Sequence, residues 1–347
     1  MKRFLAAVLS MVIALSLAAC AGTAQEVGEA ETAETVTATD ETGVTETVTA
    51  HTVTLEDGTV FPEKNITIII PWKAGGNTDI YSRQLASLME EYLGVNIVVM
   101  NTNGGGGQVG YQTLIGATAD GYTLCATSNS MLLAPYTGVG DAAVKYNSVK
   151  HLAMWGNSAC ALAVPATAEY DTLEEFIAAA KGNPGTMRVA NSGVGATWHA
   201  CALTFASNAG IDITHIPYDS GTEAVTAAAG GHVEAVMCGV AECASLVESG
   251  DLKVLAVSSP NTLYPDAKTF EASGVANMWG GFNDFIVPMD TPDAVVDLLI
   301  EAMEYAVNTD TWKDFLSAGG QSWVWMTGDE LMDYYADVDV SLSELFA

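Results

Sequence analysis

Residues 65–79 read NITIIIPWKAGGNTD, and three signals sit in that one stretch. Ile66 to Ile70 is a short apolar run rich in β-branched side chains, the mark of a buried strand. Pro71 closes it, because proline cannot donate to a sheet ladder. "AGGNTD" then makes a glycine turn that hands Asn77 or Thr78 to a helix as its N-cap. Tyr81, Leu85, Leu88 and Tyr92 fall on one helical face, and Gly94 ends the helix. The same order follows at once: "VNIVVM" (residues 95–100) is a second strand, Gly104 to Gly107 form a turn, "QVGYQTLIGATA" is a helix and "GYTLCATS" a third strand. Alternation at this spacing argues for an α/β fold with a parallel sheet and helices on its faces.

Further along, the pattern restarts. "ACALAVPA", "TMRVANSG", "DITHIPY", "VEAVMCGV" and "LKVLAVSS" read as strands. "TLEEFIAAAKG", "ATWHACALTFASNAG", "TEAVTAAAGG" and "ECASLVESG" read as the helices between them. Two such units in one chain imply two lobes with a cleft between. The tail, "DAVVDLLIEAMEYAVNTD" and "TWKDFLSAGG", is helical and packs back on one lobe.

The two ends of the chemistry argument are a loud motif and a quiet one. Gly105-Gly106-Gly107-Gln108-Val109-Gly110 fits G-x-G-x-x-G, but a dinucleotide site also wants an acid at the end of the next strand. That strand ends "CATSNS", and no G-K-[ST] follows, so no nucleotide and no other cofactor is expected. "AGGNTD" brings bare backbone N–H groups to a helix N-terminus at a strand's carboxyl end, which is a ready anion site. "NSGVGATWH" (residues 191–199) repeats the arrangement in the second unit, and "YDSGTE" (residues 218–223) offers a third. Loops at strand carboxyl ends facing one another across a cleft are where open α/β sheets bind ligands.

A catalytic alternative uses Ser192 as nucleophile and His199 as base, making an exported serine hydrolase. Ala190 stands where the nucleophile elbow needs glycine, and the histidine is only seven residues on. No His or Cys pair has zinc spacing, so no metal is expected.

The N-terminus sets the compartment. Lys2 and Arg3 precede an apolar run from Phe4 to Ala19, shorter than a membrane span needs, so residues 1–20 read as a signal peptide. Residues 21–60 are Ala, Thr, Val, Gly and acids, with seven Asp or Glu before Glu56 and no Lys or Arg; they read as a disordered acidic stalk. The net charge of −30 argues against nucleic acid or an anionic membrane surface as partners. Cys125, Cys160, Cys201, Cys238 and Cys243 remain after Cys20; they form no framework, and most sit in apolar runs as buried thiols.

These residues carry a resemblance. Leu17-Ala18-Ala19-Cys20 resembles the lipobox of bacterial lipoproteins, which implies that Cys20 is acylated and tethers the chain outside the cytoplasm. "ITIIIPWKAGGNTD", "NTNGGGGQVG", "ADGYTL", "GNPGTMRVANSGVGATWH" and "HIPYDSGTEAVTAAAGGHVEAVM" occur in the order seen in the substrate-binding (Bug) receptors of tripartite tricarboxylate transporters. Over residues 62–345 the chain is similar to that family. The resemblance implies a two-lobed periplasmic binding protein of type II, each lobe a mostly parallel sheet with flanking helices. Lobe 1 is then 61–164 plus 284–347, and lobe 2 is 165–283. It implies a monomer without chemistry that holds a small organic carboxylate and delivers it to a membrane permease. Carried over residue by residue, the first loop is Ala74, Gly75, Gly76, Asn77, Thr78 and Asp79. The second is Ser192, Gly193, Gly195, Ala196, Thr197 and His199. Tyr218, Asp219 and Ser220 match a further stretch, and Ser128 and Asn129 end the third strand. Lys73 departs from the family's small or polar residue and projects either to the ligand or to solvent at the cleft mouth. Trp72 and Trp198 flank the loops as flat walls or as packing.

Overall fold

The computed structural model describes residues 31–39, 45–136, 143–276, 278 and 280–345. The signal peptide, Cys20 and the start of the stalk lie outside the described residues.

The stalk is not unstructured where it is described. β1 (Glu31–Thr39) and β2 (Thr45–Thr54) form an antiparallel hairpin, and β2 pairs on with β3 (Val60–Phe61). Ala50 and Val53 are buried, and His51 stacks on Tyr92 with ring centroids 3.9 Å apart. Alternating Thr and Val supply strand propensity that composition alone hid. The end of this segment is therefore part of lobe 1.

The first lobe is built as read. β4 (Ile66–Ile70), α1 (Asn77–Leu93), β5 (Ile97–Asn101), α2 (Gln108–Ile115) and β6 (Thr123–Ser128) follow in order, and β4 pairs in parallel with both β5 and β6. Gly94 ends α1 in the left-handed conformation, φ 68°, which glycine adopts without steric cost. After α3 (Ser130–Leu133), β7 (Val149–Ser158) is a long strand that continues through Ala159 into β8 (Cys160–Pro165) of the other sheet. The second lobe adds α4 (Leu173–Gly182), β9 (Met187–Asn191), α5 (Thr197–Ala209), β10 (Ile213–Pro217), α6 (Gly221–Ala229), β11 (Ala235–Gly239), α7 (Ala244–Glu248) and β12 (Leu252–Val257). β13 (Gly281–Pro288) returns the chain to the first sheet, followed by α8 (Asp293–Asn308), α9 (Asp310–Ala318), β14 (Gln321–Ser322), β15 (Met326–Thr327) and α10 (Gly328–Leu345).

Strand order is β14-β7-β13-β6-β4-β5 in one sheet, with β15 on β7, and β10-β9-β11-β8-β12 in the other. The βα strands are parallel, while β7, β8, β12 and β13 run antiparallel to their neighbours. The lobe boundaries shift accordingly: the first crossover falls at Ala159 rather than after Val164, and Gly281 to Asn283 belong to lobe 1. No turn residue interrupts "NSACALAVP", so an extended chain changes sheets without a break in pattern. Lobe 1 is centred on Leu85, Met89, Trp155, Leu299, Met303 and Trp312, which lets α1 and α8 cover one sheet face. Lobe 2 has a core on each face of its sheet, one around Phe176 and Phe205 and one around Val225 and Val236. Each such fully buried side chain contributes about 1.5–3 kcal/mol.

Candidate functional site

The two glycine loops share one local device. In the first, Gly75 has φ +85° and its N–H donates to the Asp79 carboxylate at 2.9 Å, four residues on. In the second, Gly195 has φ +79° and its N–H donates to Nδ1 of His199 at 3.2 Å, again four residues on. The helices then start behind Gly76 and Ala196, so neither Asn77 nor Thr78 is the N-cap, and neither N-cap residue has a side chain that caps its own helix. The first N–H groups of α1 and α5 therefore have no intrahelical acceptor and face the cleft.

Asp79 and His199 each brace their own glycine loop. Burial would raise the Asp79 pKa, but Arg83, the Gly75 N–H and Asn101 together hold it below the ordinary carboxylate value. Burial, with His215 beside it at 5.0 Å between centroids, pushes His199 down to about 4. The imidazole is thus neutral at physiological pH.

The lobes are closed on one another. Thr222 Oγ1 donates to the Gly75 carbonyl at 2.8 Å, and the hydroxyls of Ser128 and Thr197 meet at 3.2 Å. Lys73 Nζ lies 2.8 Å from Asp219 and 2.7 Å from Glu223, a latch between the lobes at the mouth. Those two carboxylates raise its pKa. Gly106 packs so near the Val194 carbonyl that a Cβ there would lie 2.5 Å from the oxygen.

Closure leaves a cavity of about 40 Å³ between the loops, room for only a few waters. Of the expected residues, Trp72, Gly76, Asn77, Thr78, Asp79, Ser128, Ser192, Ala196, Thr197 and Ser220 line it. A second cavity of about 260 Å³ shares Trp72 and Ser192 and is bounded by Gly193, Tyr218, Asp219 and the four-glycine turn. That turn, whose glycines all have positive φ, is part of the cleft and not merely of the scaffold. Lys73, Ala74, Gly75, Asn129, Gly195 and His199 line neither cavity. Asn129 accepts from the Phe282 N–H at 2.8 Å and so positions β13.

Five lining residues escaped the sequence reading: Gly221, Glu242, Gly281, Phe282 and Asn283; Trp198, expected only as a flank, joins them. Asn283 accepts from the Thr78 hydroxyl at 2.8 Å. The polar pair Asn283-Asp284 inside the apolar run "GFNDFIVP" was the available signal. Glu242 follows β11 in the second lobe and accepts the Asn77 N–H of α1 at 3.1 Å and the Gly239 N–H at 2.8 Å. The Trp198 indole lies close enough to favour its charged form. Burial raises its pKa, the two N–H donors and the indole working against that rise. Behind Ser128 runs a buried hydroxyl chain: Ser130 lies 3.0 Å from Ser128 and 2.9 Å from Tyr111, which accepts from Thr127 at 3.1 Å. Such a chain fixes which way each hydroxyl points.

Two α/β sheets, two crossover points and facing loops at the strand ends define a two-lobed periplasmic binding protein. Residues 81–342 match the Tripartite tricarboxylate transporter family receptor, and the chain belongs to that family of extracytoplasmic solute-binding receptors. It is 29% identical to Protein BugT of Bordetella pertussis over 286 residues, covering 80% of this chain and 86% of that one. A solved periplasmic transporter superposes with a TM-score of 0.75 at 26% identity, over 82% of this chain and 95% of the other. MatC from Rhodopseudomonas palustris, solved with malate bound, shares the fold at a TM-score of 0.73 and 20% identity, over 82% of this chain and 97% of that one.

Proposed function

We propose that this receptor captures a small organic carboxylate between its lobes and delivers it to a membrane permease without transforming it. The observation that carries the reading is the convergence of two helix starts, that of α5 uncapped and that of α1 partly taken by Glu242, and the hydroxyls of Ser128 and Thr197 on one closed cleft. A hydrogen bond to a charged group contributes about 1.5–3 kcal/mol and a helix terminus about 0.3–1. Four or five such contacts, less the cost of association, leave the ~8 kcal/mol of a micromolar receptor. The malate in MatC, and the family's pairing with permeases, support the ligand class and the partner. In this reading Cys20 carries the lipid that keeps a monomeric receptor beside its permease.

Isothermal titration of the purified chain against mono- and dicarboxylates should give saturable binding that weakens on Thr197→Val. Saturable binding to neutral sugars alone would overturn the proposal. Turnover of esters that vanishes in Ser192→Ala would replace it with a hydrolase.

A further inference from the structure

The cleft holds a carboxylate of its own with no cation to answer it. Among the described residues, no Lys or Arg lines the cavity. The other charges around the loops are already matched: Asp79 with Arg83 at 2.9 Å, and Lys73 with Asp219 and Glu223. No ion pair forms on Glu242 among the described residues. Its side chain is part-buried, with Gly221 packed so tightly that a Cβ there would lie 2.0 Å from Oε1. A carboxylate offers about four lone-pair sites. Two take the N–H groups of Asn77 and Gly239, with the Trp198 indole nearby. Capacity remains for whatever fills the cavity that Glu242 lines.

A dianion placed here would meet Glu242 as a like charge in a part-buried site, which is unfavourable. A protonated amine would meet it as a counter-ion. The α1 terminus is already partly taken by Glu242, whereas the first turn of α5, with Thr197, Ser128 and the Thr197 N–H, stays open to a ligand carboxylate. Trp198 belongs to that same first turn and also lies beside Glu242, so the two poles lie within one small ligand's reach.

We propose that Glu242 is the specificity-determining residue of the cleft and selects small zwitterions, molecules bearing a carboxylate and a protonated amine, over simple carboxylic acids. The proposal rests on the carboxylate reading above and sharpens it. Calorimetric titration of the whole chain with matched pairs tests it: aspartate against succinate, glutamate against glutarate, and the remaining α-amino acids against their deaminated acids. The amine-bearing member of at least one pair should bind ten-fold or more tightly than its partner, and E242Q should abolish that ratio by weakening the amino acid alone. Deaminated acids that bind as tightly as, or more tightly than, every amine partner would overturn the role of Glu242 and leave the carboxylate receptor standing. Absence of binding by either member of every pair would overturn both. Should E242Q fail to fold, the wild-type ratios decide the question, and E242D, which moves the charge back by one methylene, should lower the ratio without reversing it.

Discussion

Glycine and glutamate govern this cleft at the scale of single residues, one by what it lacks and the other by its charge. Gly106 has φ +63° and faces the Val194 carbonyl across the lobes. Gly106→Ala should cost about 1 kcal/mol of stability through backbone strain. It should also weaken ligand binding ten-fold or more, because the added methyl props the lobes apart; unchanged affinity at an unchanged far-ultraviolet circular dichroism spectrum would refute that. Glu242 has a folded-state pKa raised above its ordinary 4.5 by burial. The folded protein therefore holds that proton more tightly than the unfolded chain. The favourable contribution is complete below 4.5 and fades as pH rises through the folded value. The melting temperature of the wild type minus that of E242Q should accordingly fall as pH rises above the ordinary carboxylate range, as followed by scanning calorimetry. A difference that climbs with pH would mean that the N–H donors outweigh desolvation.

Elements show where sequence is a sufficient guide. In α4 the Thr172 hydroxyl accepts from the Glu175 N–H while the Glu175 side chain accepts from Thr172, a reciprocal cap written plainly in "TLEE". Thr172→Ala should lower stability by about 1 kcal/mol in urea unfolding, with ligand affinity unaltered since the cap lies outside the cleft. Every βα unit of both lobes was legible because strand, glycine turn and amphipathic helix are local signals. β7 was not read as a strand, and β13 only as the point where the resemblance returns the chain to lobe 1, since Gly, Asn, Asp and Ser inside "HLAMWGNS" and "GFNDFIVP" blur the pattern of a strand. The change of sheet at Ala159 was invisible because no turn residue marks it. Among site residues, the loops were found because glycine and a helix start announce themselves. Glu242 was missed because an isolated acid gains its meaning only from the helix α1 brought to it by the opposite lobe, 165 residues away in sequence.

As a whole, the molecule is a clamp whose halves are joined by extended strands and held shut by a few polar contacts. The latch of Lys73 with Asp219 and Glu223 is exposed to solvent, so it holds weakly and is screened by salt. Lys73→Met should raise the radius of gyration of the ligand-free protein in small-angle scattering and reduce affinity by five-fold or less. Added salt should move the wild type toward the variant; a variant as compact as the wild type would show that the buried contacts close the lobes unaided. The missing basic lining has a bearing on competition in the medium the receptor faces. Phosphate and sulfate are abundant, highly charged and indifferent to subtle shape, and a guanidinium-lined pocket would be occupied by them much of the time. A cleft that offers only neutral donors, beside a carboxylate of its own, excludes such ions by repulsion, so the receptor stays available for scarce organic solutes in mineral-rich surroundings.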